Sequence, residues 1–393
     1  MLLDIFSELQ RATPWSRRQE RTIIEDTLAQ ARLADRLDYG CWWSVEHHGA
    51  GEFSLSSTPE LFNVLVAQNT SRIRVGHSGV LSPFRINHPI RVAERTAFLD
   101  LISNGRLELG LARSAGAEWD AFGIDGGETR DQMRELFTML PRMWQDDSFS
   151  WDSDLITIPP RNIVPKPVQA PHPPMWQTCT SAEAFAMAGE LGVGALGVTL
   201  LTPLENMVAL RQAYKDGIAA TTPKAGDEVN DQFGVFTFVH CGSTREEAIR
   251  SRAAESVLWY VNRMPVVFET PRHFIIDSIR GNLAPGGANA WESTTQDQVA
   301  GDIDPDDPVP VIRLLNRQAL GYELDPEEAF EVLEPMDSMI IGDVDACLTK
   351  MKKYVEMGVD RLLCFQQFGW VSQEDVLGSI RRTGEEILPI VSA

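Results

Sequence analysis

Glu46-His47-His48 packs three proton-handling side chains into consecutive positions. Histidine works as a general base near neutral pH, and an adjacent carboxylate can orient it or raise its basicity. A metal centre is the other chemistry such a triplet suggests. Successive strand residues point to opposite faces, so His47 and His48 would not converge readily on one ion, and no metal is expected. A polar strand end accounts for the same three residues. Arg113 and Arg130 offer a second chemistry, because two guanidiniums can grip a phosphate through forked, charge-assisted bonds. Two ordinary surface ion pairs are the alternative. Thr180-Ser181 stands where a strand turns into a helix, and helix N-termini bind phosphate through free backbone N–H groups. A plain helix cap explains that pair as well.

Two glycine patterns need the same weighing. Gly192-Val-Gly194-Ala-Leu-Gly197 matches the dinucleotide fingerprint literally. Its first glycine ends a helix and the others fall in a strand, which is the wrong context for that motif. Gly76-His77-Ser78-Gly79 lacks the spacing of a nucleophile elbow. Its Ser78 and Gly79, at a strand end, would let a flat ligand approach the backbone closely.

These residues need elements to hold them. Strand patterns cover residues 2–6, 41–45, 73–81, 107–111, 175–180, 193–200, 233–241 and 361–365, nearly all followed by helical patterns. Repeated strand–helix alternation predicts a parallel sheet, and eight units close most simply into a (β/α)8 TIM barrel. An open doubly wound sheet is the other arrangement. In a barrel the C-terminal strand ends carry the chemistry. Pro141 is expected to kink or shorten its helix, and the proline-rich 159–174 reads as an extended loop. Between Pro265 and Pro335 the alternation fails, apart from a helical patch near Val311 to Leu320. This stretch is read as an insertion between the seventh and eighth units of a single domain spanning 1–393. Gly286-Gly287 and the acidic, proline-rich Asp302 to Pro310 suggest a possible lid over the active site.

Composition narrows the partners. The chain has 393 residues and a formal net charge of −21, which disfavours nucleic acid and anionic membranes. The longest nearly uncharged apolar run, Leu191 to Leu204, is too short to span a bilayer, and the first residues lack the pattern of a signal peptide. Five scattered cysteines form no CxxC pair, so a disulfide framework is not expected and a cytoplasmic location is.

The assembled pattern resembles the bacterial luciferase-like family of flavin-dependent monooxygenases. The resemblance runs through Trp42-Trp43-Ser-Val-Glu46-His47-His48, Arg74-Val-Gly76-His-Ser78-Gly79, His88-Pro89…Arg95 and Ser103-Asn-Gly105-Arg106-Leu-Glu-Leu-Gly110-Leu-Ala-Arg113. It continues in Phe122-Gly123…Arg130, Ser181 with its helix, and Ile341-Gly342…Gly358-Val359. It implies a barrel that binds reduced FMN supplied by a flavin reductase, and that uses molecular oxygen to oxygenate a small organic substrate. By position, His47 resembles the family's catalytic histidine, with Glu46 and His48 as its neighbours. Arg113, Arg130 and Ser181 match phosphate-binding positions, with Thr180 where the family often has Glu. Ser78-Gly79 matches a non-prolyl cis peptide under the flavin ring. Ala112 stands where bacterial luciferase has a reactive cysteine, so light emission is not implied. A homodimer is expected. A deazaflavin-dependent hydride-transfer enzyme of the same superfamily and a non-catalytic flavin-binding barrel are the competing readings. Phe6, Trp119, Phe365 and the insertion are expected to line an apolar or aromatic substrate pocket.

Overall fold

The computed structural model describes residues 1–393 apart from 11, 13–15, 52, 222–227, 284–302 and 393. The first half alternates β1 (Leu2–Ser7), α1 (Arg17–Arg36), β2 (Cys41–Ser44), α2 (Pro59–Asn69), β3 (Arg74–Leu81), α3 (Pro89–Ser103) and β4 (Leu107–Ala112). Then come α4 (Gly116–Phe122), α5 (Thr129–Gln145) and a hairpin of β5 (Phe149–Asp152) and β6 (Thr157–Arg161). Alternation resumes with β7 (Met175–Thr178), α6 (Ala182–Leu191), β8 (Gly194–Val198), α7 (Asn206–Ala220) and β9 (Phe233–Cys241). After β9 lie α8 (Arg245–Arg250), α9 (Ala253–Val267), α10 (Arg272–Leu283), α11 (Pro310–Ala319) and α12 (Pro326–Leu333). The chain closes with β10 (Ile340–Gly342), α13 (Val344–Met357), β11 (Arg361–Phe365) and α14 (Gln373–Arg382).

Eight parallel strands close a barrel in the order β1-β2-β3-β4-β7-β8-β9-β11, with β11 returning to β1. The expected (β/α)8 fold is therefore present. Every residue of β9 and β11 is buried, which suits parallel strands covered by helices on one face and filled by side chains on the other. Local chemistry sets the helix limits. Ser181 and Asp343 cap α6 and α13 by accepting the backbone N–H of Ala184 and Ala346. Gly192 and Gly358 end the same helices at φ of 71° and 80°, a conformation that favours glycine.

Four local expectations change. Pro141 does not break α5, which runs through it. The hydrogen bond lost at the proline is outweighed by a buried face of Met133, Leu136, Phe137, Leu140 and Trp144. Pro159 and Pro160 belong to β6 rather than to a loop, in a two-stranded hairpin where a missing N–H is tolerated. The helical pattern that follows residues 233–241 is not one helix but splits into α8 and α9 at Arg252, whose φ is +61°. The stretch from 265 to 335 holds α10, α11 and α12. Gly286-Gly287 lies outside the described residues, as does Asp302. The acidic turn that follows is tied down, with Asp307 paired to Arg280 at 2.6 Å and Arg317 donating to the Pro305 carbonyl at 2.9 Å.

The N-terminal end of the barrel is closed by a layer of large and charged side chains. Trp43 and Trp176 meet edge to face at 5.6 Å. Their indole N–H groups donate to Asp4 and Glu108 at 2.8 and 2.7 Å. Arg361 bridges the same two carboxylates, 3.1 Å from each. Glycines make room for the rings: a Cβ on Gly76 would sit 2.2 Å from Trp43, and one on Gly194 2.3 Å from Trp176.

Candidate active site

At the opposite, C-terminal end of the strands lies a cavity of about 460 Å³, within the usual range for small-molecule sites. It is lined by Glu46, His47, Ser78, Gly79, Arg113, Arg130, Thr180 and Ser181. The barrel thus gathers every site residue picked from the sequence except His48, which stands behind Glu46 with Nε2 3.1 Å from Glu46 Oε1.

One part of the cavity suits an anion. Arg113 follows β4 and is fixed by a bond from its Nε to Thr129 Oγ1 at 3.0 Å. Burial lowers the affinity of its guanidinium for its proton, and the nearby charge of Arg130 adds to that effect. Arg130 is ion-paired with Glu183 in the first turn of α6. Two mutually repelling guanidiniums beside a helix N-terminus are a ready site for a phosphate. Close by is a flat backbone surface. The Ser78–Gly79 peptide is cis, and a Cβ on Gly79 would lie 2.7 Å from the Leu111 carbonyl carbon.

A second part handles protons. His47 Nδ1 faces Glu118 Oε1 at 3.4 Å, an ion-pair distance rather than a hydrogen bond. Burial opposes the charged imidazole, but Glu118, Glu8 and Glu46 together raise its pKa. Glu118 is fixed in turn by Ser114 Oγ and by the His48 backbone N–H at 2.7 Å. Glu46 is buried, which would raise its pKa. Bonds from the His48 side chain, Asn87 and the Leu81 N–H outweigh that and hold it at about 2. Glu46 is therefore a fixed anion that anchors the end of β2, whereas the pKa of His47 is raised by the carboxylates around it.

The remaining wall is apolar. Phe6, Trp119, Phe236, Met264, Phe268 and Phe274 line it. Phe365, expected in the pocket, does not reach it. That ring is fully buried among Phe6, Phe236, Phe238 and Phe368, because it points into the barrel core as part of β11. Among the lining residues not singled out as site residues from the sequence are Glu8, Glu118 and Tyr260. Glu8 had a usable signal, since it is a carboxylate at the C-terminal end of a predicted strand. Glu118 and Tyr260 lie on helices and had none.

The residues present fit a flavin phosphate and ring. Guanidiniums and a helix N-terminus stand on one side of the cavity, and the Gly79 surface would be filled by any Cβ. Among the described residues, no three His, Cys, Asp or Glu side chains are grouped to hold a metal ion. No helix among them is long and apolar enough to cross a membrane.

The model of the luciferase-like monooxygenase family matches residues 8–361. The chain belongs to this family. Among its relatives is the oxygenase component of the flavin-dependent trigonelline monooxygenase of Acinetobacter baylyi, 28% identical over 49% of this chain and 52% of that protein. Another is limonene 1,2-monooxygenase of Rhodococcus erythropolis, 28% identical over 63% of this chain and 64% of that protein. The match thus spans about half to two thirds of these relatives' lengths. The luciferase-like fold extends further. A monooxygenase from Streptomyces bottropensis superposes with a TM-score of 0.74 over 99% of both chains at 20% identity. The oxygenating component of 3,6-diketocamphane monooxygenase of Pseudomonas putida, solved with FMN, superposes at 0.68 over 99% and 98% at 16% identity. An F420-dependent secondary alcohol dehydrogenase has a similar fold, with a TM-score of 0.67 over 99% and 98% at 15% identity.

Proposed function

We propose that this luciferase-like protein is the oxygenase component of a two-component flavin-dependent monooxygenase. It takes reduced FMN from a separate flavin reductase and uses molecular oxygen to oxygenate a small apolar or aromatic molecule. The observation that carries this reading is a single cavity holding both an anion cradle, Arg113 with Arg130 and the α6 N-terminus, and the His47–Glu118 pair. Reduced FMN supplies the electrons and the oxygen-activating ring. Arg113, Arg130 and the N–H groups that open α6 hold its phosphate, and the Gly79 backbone supports the ring. Glu118 orients His47, whose imidazole holds or releases the proton that the reaction moves. The wall of Phe6, Phe236 and Phe268 excludes water from that centre.

The insertion enters this reading as part of the enclosure. Phe268, Thr270, Phe274 and Ile275, from the end of α9 into α10, all line the cavity, which supports a lid over the site. Leu61 and Leu65 on α2 and Phe98 and Leu101 on α3 are 41–64% exposed. Such an apolar helical face supports a homodimer. The five cysteines are unpaired, which suits a reducing cytoplasm.

Cofactor binding tests the reading. Arg113→Ala or Arg130→Ala should weaken FMN by about 1.5–3 kcal/mol, the usual worth of a charged hydrogen bond, and riboflavin far less. Equal losses for the two ligands would remove the phosphate assignment. Preferential binding of a reduced deazaflavin over reduced FMN, without oxygen uptake, would replace oxygenation by hydride transfer.

A further inference from the structure

One buried carboxyl in the cavity has no part in the scheme above. Glu8 follows β1, is 2% exposed and lines the cavity beside Tyr260. None of the ion pairs among the described residues gives it a lysine or arginine. Among the described residues, the charged group acting on it is His47. Taking a carboxyl out of water without a cation is costly, and such a group stands out as a functional candidate.

Its hydrogen bonds show what it can do. Tyr260 Oη donates to Glu8 Oε1 at 2.9 Å. Gln10 Nε2 donates to Glu8 Oε2 at 3.2 Å and to the Phe53 carbonyl at 2.8 Å. The Gln10 carbonyl oxygen is used by the Gly369 N–H at 3.2 Å. Both bonds to Glu8 are therefore donated to it. While Tyr260 and Gln10 both donate, a proton on this carboxyl can be given to a group in the cavity that Glu8 lines. The pair is rigidly held, since the Tyr260 ring packs on Phe53 at 4.5 Å and on Phe238 at 5.1 Å.

We propose that Glu8, braced by Tyr260 and Gln10, is a substrate-recognition residue that donates a hydrogen bond to a carbonyl oxygen on an otherwise apolar ring substrate. The inference deepens the oxygenase reading and rests on it. An acceptor oxygen suits a carboxyl proton offered to the cavity. The phenylalanines around it suit the rest of the ring. Burial supports this assignment by pushing the Glu8 carboxyl up to about 7, so that its protonated form is present near neutrality. His47 from the end of β2 and Tyr260 from α9 are the titratable groups acting on it.

Acetophenone and ethylbenzene differ by the carbonyl oxygen and serve as matched probes. Calorimetric titration of the full chain should show acetophenone preferred by about 10-fold or more, as expected when a site donates to a substrate oxygen. Glu8→Leu should reduce the preference below about 2-fold through loss of acetophenone binding alone. Glu8→Gln guards against a misfolded leucine variant. Its amide still donates, so it should keep the preference. It should also abolish the decline that the wild type shows as its carboxyl ionises, between about pH 6 and 9. Equal affinities in the wild type, a preference that survives Glu8→Leu, or the same pH decline in Glu8→Gln would each overturn the proposal. FMN binding, read separately by fluorescence quenching, tells the two readings apart. Failure to bind FMN sinks the oxygenase reading, whereas FMN binding without a carbonyl preference sinks only this one.

Discussion

The two ends of the barrel bury the same kind of group and use it differently. At the N-terminal end, Asp4 and Glu108 share Arg361, and Arg74 also reaches Glu108. Arginine does not give up its proton at any ordinary pH, so this end is a permanent plug. At the C-terminal end, Glu8, Glu46 and Glu118 face His47 and His48, whose pKa these carboxylates raise, while burial lowers that of His77, beside Glu46, to about 4. A buried carboxylate is structural or chemical according to its partner. The sheet positions both sets with equal rigidity, so the choice between Arg and His decides which end can move protons.

That contrast can be broken at its fixed end. Arg361→Met should leave Asp4 and Glu108 buried without their shared cation and cost about 3–5 kcal/mol, the usual penalty for breaking a buried pair. Urea unfolding would measure it, and a loss under about 1 kcal/mol would show that the plug is not held by charge. The titrating end should respond to pH instead. Glu8 has a folded pKa of about 7 against an ordinary 4.5. Its contribution is fully present below about pH 4.5 and is lost as pH rises through about 7. Relative to Glu8→Gln, the wild type should lose on the order of 3 kcal/mol between those limits. Parallel stability–pH curves for the two proteins would contradict the assignment. His47→Ala sharpens the comparison on the chemical side. Product formation should fall roughly 10²-fold, equivalent to about 2.7 kcal/mol of activation free energy, with little change in melting temperature. Normal turnover in that variant would take His47 out of the reaction.

Much of this was legible beforehand, and the reasons are local. Apolar runs such as Phe233 to Cys241 announce buried parallel strands, and Ser181, Asp343, Gly192 and Gly358 mark helix ends by backbone chemistry that neighbours alone determine. Glu46-His47-His48 and Arg113 could be found because contiguous motifs carry them. Glu118 and Tyr260 could not, because they reach the cavity from helices separated by more than a hundred residues. Only closure of the barrel puts them beside His47 and Glu8. Pro141 misled for a related reason. Its local cost is real, but a buried face formed with distant segments outweighs it. Ile340–Gly342 was missed because three residues are too few for any periodicity to show.

The tryptophan–glycine pairs in the plug carry a consequence for how this sequence can change over time. Trp43 occupies the volume that a side chain at 76 would need, and Trp176 does the same for 194, with clearances of 2.2 and 2.3 Å to an added Cβ. A methyl group at either glycine collides with a ring that is locked by its indole bond to Asp4 or Glu108. A smaller residue in place of either tryptophan opens a cavity and takes one hydrogen bond from Asp4 or Glu108. Each pair is therefore a joint character: neither member can drift alone, and a viable lineage must replace both together or keep both.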